Sequence, residues 1–515
     1  MALARYSGVL LLRTVSLAAF GGYACTGGDS SPTQVQLPVS NTPQPTSLSF
    51  TAQPTNTEVG VAIRPPVAVS VRDAFGAIVV DATNSVTIAL GAHPLGANLS
   101  GTTTVAATSG IAVFSDLRVE QAGGGLTLVA SAAGLAGATS QQFNVIAPQP
   151  ATFSSISAGF AHACAVTTVG SAYCWGGGTD GELGNGQYQF SVNTPTLVTG
   201  GLSFAAISAG GYHTCGVTTA GTLRCWGDNS YGQLGIGVLT PSRSSTPFVP
   251  NTSFAFVTVV AGLKHSCAIT TIGAAYCWGD NGLGELGNGS FTQSTAPAPV
   301  SGSLTLSSIS AGGIGNSLTL PTEGAQTCGI AAGAAAYCWG DNTWGGQIGD
   351  GTFVPRDHPV AVATGLHFTK ITAGRHHTCA ITSAGAGYCW GNNDSGDLGN
   401  GSLNGSSLPV SVVGSLSFAS ISAGYDHTCA LTATGAAYCW GDDSYGQLGN
   451  GTFTSSTVPT AVSGGLTFAN ISAGASFTCG VTTDGAAYCW GSNFFGELGI
   501  GSYSNRATPV RVIPP

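Results

Sequence analysis

The sequence predicts an all-β fold, a seven-bladed β-propeller that follows a β-sandwich. Fourteen of the fifteen cysteines form seven pairs with a spacing of ten residues, and each second Cys precedes Trp and Gly. The seven Trp residues recur at steps of 51, 52, 61, 51, 50 and 50. Short runs rich in Ile, Val, Thr, Tyr and Phe alternate with Gly-rich turns, which is typical of strands. A period near fifty without a helical pattern indicates stacked β units, one for each repeat.

The turn inside each Cys pair sets the register of two strands. Six repeats have a Gly six residues after the first Cys, namely Gly170, Gly221, Gly273, Gly385, Gly435 and Gly485. Gly at the third position of a three-residue hairpin loop takes a positive φ without strain. Counting outwards from that loop places Cys164 directly opposite Cys174. In the fourth repeat Gly333 lies only five residues after Cys328, so its turn is expected to differ.

Directly opposed strand residues are within reach of a disulfide bond. The pairs are Cys164 with Cys174, Cys215 with Cys225, Cys267 with Cys277, Cys328 with Cys338, Cys379 with Cys389, Cys429 with Cys439 and Cys479 with Cys489. Disulfides are the favoured interpretation, and buried free thiols and metal sites are the alternatives. A His two residues before the first Cys could add a third metal ligand. The fourth and seventh repeats have Gln326 and Phe477 there and keep both cysteines, so we interpret these His as structural, bonding backbone groups.

The repeat also resembles a known family. The string Ile-Ser-Ala-Gly-x-x-His-Thr-Cys-Ala-Leu-Thr, followed by Tyr-Cys-Trp-Gly-Asp-Asn and Gly-Gln-Leu-Gly-Asn-Gly, is similar to the regulator-of-chromosome-condensation repeat. The resemblance covers about residues 151–515 and implies a seven-bladed propeller. The paired cysteines are an addition of this chain. We also expect Thr508–Val512 to pair into the first blade and so to close the ring.

The N-terminal part of the chain predicts export. Residues 1–24 resemble a signal peptide of the lipoprotein type, and Cys25, the one unpaired cysteine, is the expected lipidation site. Simple cleavage after Ala24 and an uncleaved anchor are the alternatives. Residues 25–45 are rich in Ser, Thr, Pro and Gly and predict a flexible tether. Residues 46–148 predict about seven short strands and resemble a bacterial immunoglobulin-like sandwich, and the propeller is expected over residues 149–515.

Charge and motifs exclude several functions. Charged residues make up 7% of the chain, the net charge is −9, and no basic stripe is present, so binding of nucleic acid is not expected. Guanine-nucleotide exchange, which the resemblance implies for some members, rests on fold analogy alone. No phosphate-binding loop, nucleophile elbow or zinc-protease motif occurs, so we predict neither an enzyme nor a cofactor. The Asp/Asn-rich turns are interpreted as turn formers and not as metal sites.

Aromatic residues that break the repeat are the candidate binding face. One series precedes the Gly-x-Leu-Gly turns and comprises Tyr231, Trp344, Tyr445 and Phe495, with Phe494 beside the last. A second series follows these turns and comprises Tyr188, Phe291, Phe353, Phe453 and Tyr503, with Leu239 and Leu403 at equivalent places. An insertion in the fourth repeat adds Leu318 and Leu320. Packing between blades is the alternative interpretation of both series, and neutral loop variation is that of the insertion.

Together these features predict an exported bacterial binding or scaffold protein, anchored at the outer membrane or cell surface, and otherwise periplasmic or secreted. The propeller is expected to bind a protein or a glycan as a monomer and to meet the membrane only through its lipid. The alternative is a secreted propeller that inhibits an extracellular enzyme, which the family resemblance also implies. An exchange factor or an enzyme is a more distant alternative.

Overall fold

The computed structural model describes residues 43–93, 96–147, 151–313 and 325–515. The chain divides into two compact units, Met1–Gln149 and Pro150–Pro515. Within the described residues both units consist of strands joined by turns and loops. No helix that is long and apolar enough to cross a membrane occurs in this part of the chain.

The N-terminal unit contains more strands than the sequence predicted. Its strands form sheets of the orders β1-β3-β7, β11-β10-β4-β6, β2-β12-β9 and β5-β8, around one core that includes Val69, Ile88 and Phe114. The immunoglobulin-like assignment stays a prediction. The described strands are β1 Ser47–Ala52, β2 Thr57–Glu58, β3 Val67–Arg72, β4 Ser85–Leu90, β5 Leu99–Ser100, β6 Thr104–Ala106, β7 Ile111–Phe114, β8 Arg118–Val119, β9 Gly123–Leu126, β10 Leu128–Ser131, β11 Ala138–Thr139 and β12 Phe143–Ile146.

The described residues of the C-terminal unit form seven four-stranded antiparallel sheets, each built from four consecutive strands, so the predicted seven blades are confirmed. The strands are, in blade 1, β13 Phe153–Ala158, β14 His162–Thr167, β15 Ala172–Gly178 and β16 Gln189–Leu197; in blade 2, β17 Phe204–Ala209, β18 His213–Thr218, β19 Leu223–Asp228 and β20 Arg243–Phe248; in blade 3, β21 Phe256–Ala261, β22 His265–Thr270, β23 Ala275–Gly279 and β24 Ser294–Pro299; in blade 4, β25 Leu306–Ala311, β26 Gln326–Ala331, β27 Ala336–Gly340 and β28 Arg356–Ala361; in blade 5, β29 Phe368–Ala373, β30 His377–Thr382, β31 Gly387–Gly391 and β32 Ser406–Ser411; in blade 6, β33 Phe418–Ala423, β34 His427–Thr432, β35 Ala437–Gly441 and β36 Ser456–Ala461; in blade 7, β37 Phe468–Ala473, β38 Phe477–Thr482, β39 Ala487–Gly491 and β40 Arg506–Arg511.

The Cys-pair hairpins have the register that the Gly spacing predicted. Cys164 lies directly opposite Cys174 in the first blade, and the structure joins the two in a disulfide. The other six predicted pairs are opposed and joined in the same way: Cys215 and Cys225, Cys267 and Cys277, Cys328 and Cys338, Cys379 and Cys389, Cys429 and Cys439, and Cys479 and Cys489.

The expectation of a different turn in blade 4 was wrong. Ala334 there takes the position of the other six glycines with φ 64°, and its N–H donates to Ala331 O as Gly170 N–H donates to Thr167 O. The paired strands on both sides fix the loop geometry. Ala334 therefore bears the steric cost that a Cβ meets in the left-handed conformation.

The recurrent contact between blades depends on each Trp. The indole Nε1 of Trp226 in blade 2 donates to the carbonyl oxygen of Glu182 in the loop of blade 1 at 2.7 Å. The other six blades repeat this bond at 2.7 to 3.0 Å. Gly184 lies against the same indole with φ 65°, and a Cβ there would come within 2.7 Å of Nε1. The Gly-x-Leu-Gly turn is therefore a contact surface for the next blade as well as a turn.

Each disulfide lies in the core between two blades. The disulfide Cys164–Cys174 packs with Leu183 of its own blade and with Phe204 and Trp226 of blade 2. All fourteen of these cysteines are completely buried. The sulfur atoms thus fill the space between neighbouring sheets as apolar side chains and also cross-link the two central strands of each blade.

Backbone hydrogen bonds close a ring around the seven inner turns. In each blade the residue after the Ala-Gly pair of the first strand donates its N–H to the Gly carbonyl of the next blade, beginning with Phe160 to Gly210 at 3.1 Å and ending with Ala475 to Gly159 at 3.0 Å. Seven such bonds are present among the described residues, one for each pair of neighbouring blades. The ring is therefore closed by the same contact that joins every other pair of blades.

The predicted pairing of the C-terminal segment into blade 1 was wrong. Strand β40 pairs with β39 of its own blade, as every fourth strand pairs with the third strand that precedes it. The loop after the third strand of each blade turns the chain back antiparallel to that strand, so the fourth strand pairs within its own blade. The segment still contributes to closure, because Val512 is buried with Phe153 and Trp175 of blade 1.

Candidate binding face of the propeller

The topology places both aromatic series on one side of the propeller. In an antiparallel four-stranded blade the turn between strands one and two and the loop between strands three and four lie at the same end of the strands. We call the side of the propeller formed by these strand ends the loop face; in blade 1 it comprises residues 159–161 and 179–188. The Cys-pair hairpins and the connections to the next blade lie at the opposite ends of the strands. We call this side the hairpin face; in blade 1 it comprises residues 168–170 and 198–203.

The aromatic series that precedes the Gly-x-Leu-Gly turns contacts residues of the next blade. The ammonium of Lys264 in blade 3 lies 4.9 Å from the ring centre of Tyr231 in blade 2. Trp344 of blade 4 stacks on His376 of blade 5, with ring centres 5.0 Å apart and planes inclined by 16°. Tyr445 of blade 6 lies edge to face with Phe494 of blade 7, with ring centres 5.6 Å apart.

The remaining member of this series, Phe495, contacts Phe190 of blade 1, with ring centres 5.5 Å apart. Contacts between blades therefore account for part of each ring surface. A large part stays exposed in Trp344 (44%) and Phe494 (58%), so packing does not exhaust the surface of these side chains.

The second aromatic series, which follows these turns, is more exposed. Tyr188 lies 4.8 Å from the guanidinium of Arg243 in blade 2, and Tyr503 accepts a hydrogen bond from Ser191 in blade 1 at 3.2 Å. About half or more of each side chain is exposed to solvent in the aromatic members of this series, Tyr188, Phe291, Phe353, Phe453 and Tyr503. Leu403, one of the two equivalent leucines, is exposed to a similar extent. Leu239 is less exposed.

Sequence reasoning missed a third group, the two residues between Gly and His in Ala-Gly-x-x-His. These residues form the inner turns of the loop face. Phe160 packs against Tyr212 at 5.6 Å, and the guanidinium of Arg375 lies 3.8 Å from the ring centre of Tyr425 and 4.0 Å from a carboxylate oxygen of Asp426. The signal was present in the sequence, because these two positions differ from blade to blade within an otherwise constant strand.

A buried hydrogen-bond layer lies beneath the face. His162 Nε2 lies 2.8 Å from Thr214 Oγ1 of blade 2, and that hydroxyl donates to the Glu182 carbonyl oxygen, which also accepts from Trp226. Because the hydroxyl proton is used in that bond, the His must donate its Nε2–H. The same arrangement occurs at His213, His265, His377 and His427. The structural interpretation of these His holds, but their shared partner is a hydroxyl of the next blade and not a backbone group.

The two repeats without His solve the contact differently. Gln326 donates its Nε2–H to the carbonyl oxygen of His377 at 2.9 Å. At the interface of blades 7 and 1, Phe477 lies in one apolar cluster with Ala163, which stands where the other blades have Ser or Thr. Both partners of the hydrogen bond are therefore replaced together at the point where the ring closes.

Burial shifts the ionisation of this layer in two directions. Loss of hydration lowers the pKa of the five layer His from 6.5 to about 3 or 4. The same loss raises the pKa of Glu182 to about 8 and those of Glu285 and Glu497 to about 7. In each Glu one carboxylate oxygen accepts the backbone N–H two residues earlier, as Glu182 does from Asp180 at 2.9 Å. Glutamine occupies the same position in three blades, so these acids serve the loop structure.

The Asp/Asn turns are held by their own hydrogen bonds. Asn229 accepts from Leu234 N–H and donates to the carbonyl oxygens of Val238 and Pro241, and Asp228 accepts from Ser230. Among the described residues no group of three or more His, Cys, Asp or Glu side chains could hold a metal ion. The predicted site residues Leu318, Leu320 and Cys25 lie outside the described residues.

This geometry defines a β-propeller protein with one aromatic-rich loop face. The regulator of chromosome condensation (RCC1) repeat matches residues 169–217, 220–269, 335–381, 385–431, 434–481 and 484–515. A second description of the same repeat matches residues 153–182, 204–233, 256–285, 368–397, 418–447 and 468–497. These matches cover more than half of the chain, which therefore belongs to the family of RCC1-repeat proteins.

Two curated relatives illustrate the similarity. The mouse E3 ubiquitin-protein ligase HERC2 is 31% identical over 237 residues, which are 45% of this chain and 5% of that protein. The ultraviolet-B receptor UVR8 of Arabidopsis thaliana is 30% identical over 243 residues, which are 46% of this chain and 53% of the receptor. The chain thus spans about half or less of the length of these relatives.

Solved structures show the same fold. Yeast RCC1 (Prp20), in its crystal structure with Kap60, has a TM-score of 0.57 and 21% identity over 66% of this chain and 83% of that chain. Human WBSCR16 has a TM-score of 0.56 and 17% identity over 76% of this chain and 97% of that chain. At this level of identity the likeness concerns the fold alone.

Proposed function

We propose that this chain is an exported, surface-anchored bacterial binding protein whose propeller engages a protein or glycan partner through the loop face. The observation that carries the proposal is the collection of partly exposed aromatic side chains on one face of the propeller. Phe353 is 60% exposed, Phe494 58% and Trp344 44%, and all three lie on the loop face. Aromatic side chains supply large contact areas at low cost in conformational entropy and are enriched at the centres of interfaces.

The relatives favour a protein over a glycan. Yeast RCC1 (Prp20) has one crystal structure with Kap60 bound, and a second structure of the same protein is described with its binding properties to Gsp1p and histones. These partners belong to that protein. They support the use of this fold as a protein-binding scaffold, and the identity of the partner here has to come from its own loop face.

The binding test compares the two faces. Full-length protein is immobilised, and one partner isolated from the native cell envelope is titrated against wild type, Trp344→Ala, Phe494→Ala and Ile272→Ala. Ile272 is the control, because it is 80% exposed and lies in a hairpin on the opposite face. Loss of an aromatic side chain at an interface centre raises Kd by about tenfold or more. The proposal fails if neither loop-face variant weakens binding, or if Ile272→Ala weakens it equally.

The export proposal rests on the seven disulfides, which persist in oxidising compartments. Protein purified without reductant from its native host is denatured and its free thiols are counted. The fourteen propeller cysteines are expected to give none, and fourteen or fifteen free thiols would contradict export. Cys25 is the proposed lipid anchor, so Cys25→Ser is expected to abolish incorporation of labelled fatty acid and to release the protein from membranes. A membrane-bound variant would remove the anchor from the proposal.

A further inference from the structure

A small pocket of 140 Å³ opens on the loop face at blade 7. Tyr445 of blade 6, Phe494 of blade 7 and Phe160 of blade 1 line it, so three blades contribute an aromatic ring. Its lining also includes Phe477, which is fully buried, and Glu497, which is 3% exposed. The pocket therefore combines aromatic side chains with a buried glutamate.

The repeat shows what occupies the corresponding space in blade 3. Tyr231 and Tyr445 are equivalent, since each lies two residues before the Gln of a Tyr-Gly-Gln-Leu-Gly turn. The residue that faces Tyr231 from the next blade is Lys264, whose ammonium lies 4.9 Å from the ring centre. Lys264 is only 8% exposed, so a lysine side chain of this chain fills the space beside that tyrosine.

Blade 5 fills the corresponding space in another way. There His376, at the position equivalent to Lys264, stacks on Trp344 of the preceding blade. In blade 7 this position is Ser476, which lines the pocket together with Tyr445. Phe494 contacts the Tyr445 ring edge to face, and the serine side chain is too short to fill the rest of the space that a Lys or a His occupies elsewhere, so a pocket is open beside Tyr445 in blade 7.

We propose that this pocket binds an alkylammonium group, namely the side chain of a lysine presented by a protein partner. The aromatic faces carry partial negative charge and attract a cation, while the rings also pack against the methylene chain. Glu497 adds a carboxylate with free accepting capacity: Oε2 accepts Phe495 N–H at 2.8 Å, whereas Oε1 has the Ser492 hydroxyl at 3.5 Å. This inference rests on the proposed function and names the chemistry that the partner must present.

The test uses full-length protein and a small probe, Nα-acetyl-lysine methylamide, titrated at pH 8 and followed by ligand-observed NMR. Burial raises the pKa of Glu497 to about 7, so its carboxylate is mostly charged at pH 8. The neutral control is Nα-acetyl-norleucine methylamide, which has a straight alkyl chain without the ammonium. We expect saturable binding of the lysine probe with a Kd at least tenfold below that of the norleucine probe.

Two variants locate the binding. Ser476→Lys places in the pocket a lysine side chain like that of Lys264 in blade 3. Because this side chain occupies the pocket, the substitution is expected to abolish binding of the lysine probe. Glu497→Gln replaces the carboxylate by the amide found at Gln233 and Gln447 and is expected to weaken binding at least fivefold. Thr292→Lys is the matched control, because it adds the same charge at an exposed loop-face residue of blade 3 and should leave the Kd unchanged. Thermal midpoints of the variants show that each is folded.

Several results would overturn the inference. They are absence of saturable lysine binding, equal binding of the norleucine probe, an unchanged Kd in Ser476→Lys, and saturable binding of N-acetylglucosamine in place of lysine. A partner whose binding depends on Trp344 and Phe494 while the lysine probe does not bind would refute the lysine pocket and leave the proposed binding face intact. If the lysine probe binds and the Kd of the partner is unchanged in both Trp344→Ala and Phe494→Ala, the proposed binding face fails, and a lysine of that partner does not occupy the pocket, because Phe494 lines it.

Discussion

Ala334 adopts a conformation that the other six Cys-pair hairpins reserve for glycine. Its φ of 64° lies in the left-handed region, where the Cβ of an L-residue crowds the backbone. Gly333, one residue earlier, has no such conformation, so the chain has the glycine and the alanine in the reverse order.

The substitution Ala334→Gly is therefore expected to stabilise the propeller by about 0.5–1 kcal/mol, because relief of the left-handed strain exceeds the added entropy of the unfolded chain. The measurement is the free energy of unfolding in denaturant. Ala384→Gly is the control; it lies at the position of Gly333 in blade 5, where φ is ordinary, and should lose up to about 1 kcal/mol. Equal effects of the two substitutions would show that Ala334 stores no strain.

At the scale of the blade, the interface between blades 7 and 1 is the exception among seven. Five interfaces have a His that donates to a Ser or Thr hydroxyl, and one has Gln326. The closing interface has Phe477 and Ala163, which fill the same space with apolar atoms. Replacement of both partners by apolar groups leaves no buried donor without an acceptor, so this interface loses little by the exchange.

A double-mutant cycle tests that pairing. Phe477→His alone should cost about 2–3 kcal/mol, since it removes apolar contacts and buries an imidazole N–H without its hydroxyl partner. Adding Ala163→Thr supplies the hydroxyl, whose proton can reach Glu497 O as Thr214 reaches Glu182 O, and should recover about 1 kcal/mol. Free energies of unfolding of the four proteins give the coupling. A coupling of zero would mean that the two positions do not form the contact seen at the other interfaces.

Geometry inside a blade could be predicted from sequence, whereas contacts between blades could not. The Gly six residues after each Cys fixes a local turn, and the opposition of Cys164 and Cys174 follows by counting. The Trp226 bond, by contrast, ends on a backbone carbonyl 44 residues earlier, and a backbone acceptor leaves no mark in the sequence. The aromatic series stood out because it breaks the repeat. The pocket beside Tyr445 could not be recognised in this way, because it forms where Ser476 has a shorter side chain than the equivalent Lys264.

At the scale of the whole propeller, two buried sets of titratable groups have opposite effects on how stability depends on pH. Burial lowers the pKa of five layer His and of His376 to about 3 or 4, so the unfolded state takes up their protons first and stability falls as the pH drops below 6.5. Burial raises the pKa of Glu182 to about 8 and of Glu285 and Glu497 to about 7. The folded state holds these protons more tightly, so the contribution of the three Glu is complete below their ordinary value of 4.5 and is lost as the pH rises towards the folded values.

The two sets act against each other between pH 4.5 and 6.5, and above 6.5 only the carboxyl groups still change stability. The thermal midpoint is therefore expected to fall between pH 6.5 and 8. The variant with Glu182→Gln, Glu285→Gln and Glu497→Gln should show a smaller fall and a higher midpoint than wild type at pH 8. Gln233 shows that the amide fits, because its Oε1 accepts Tyr231 N–H at 2.9 Å as the glutamates accept theirs. If the triple variant keeps the wild-type slope from pH 6.5 to 8, then these carboxyl groups do not set the alkaline limit of the fold.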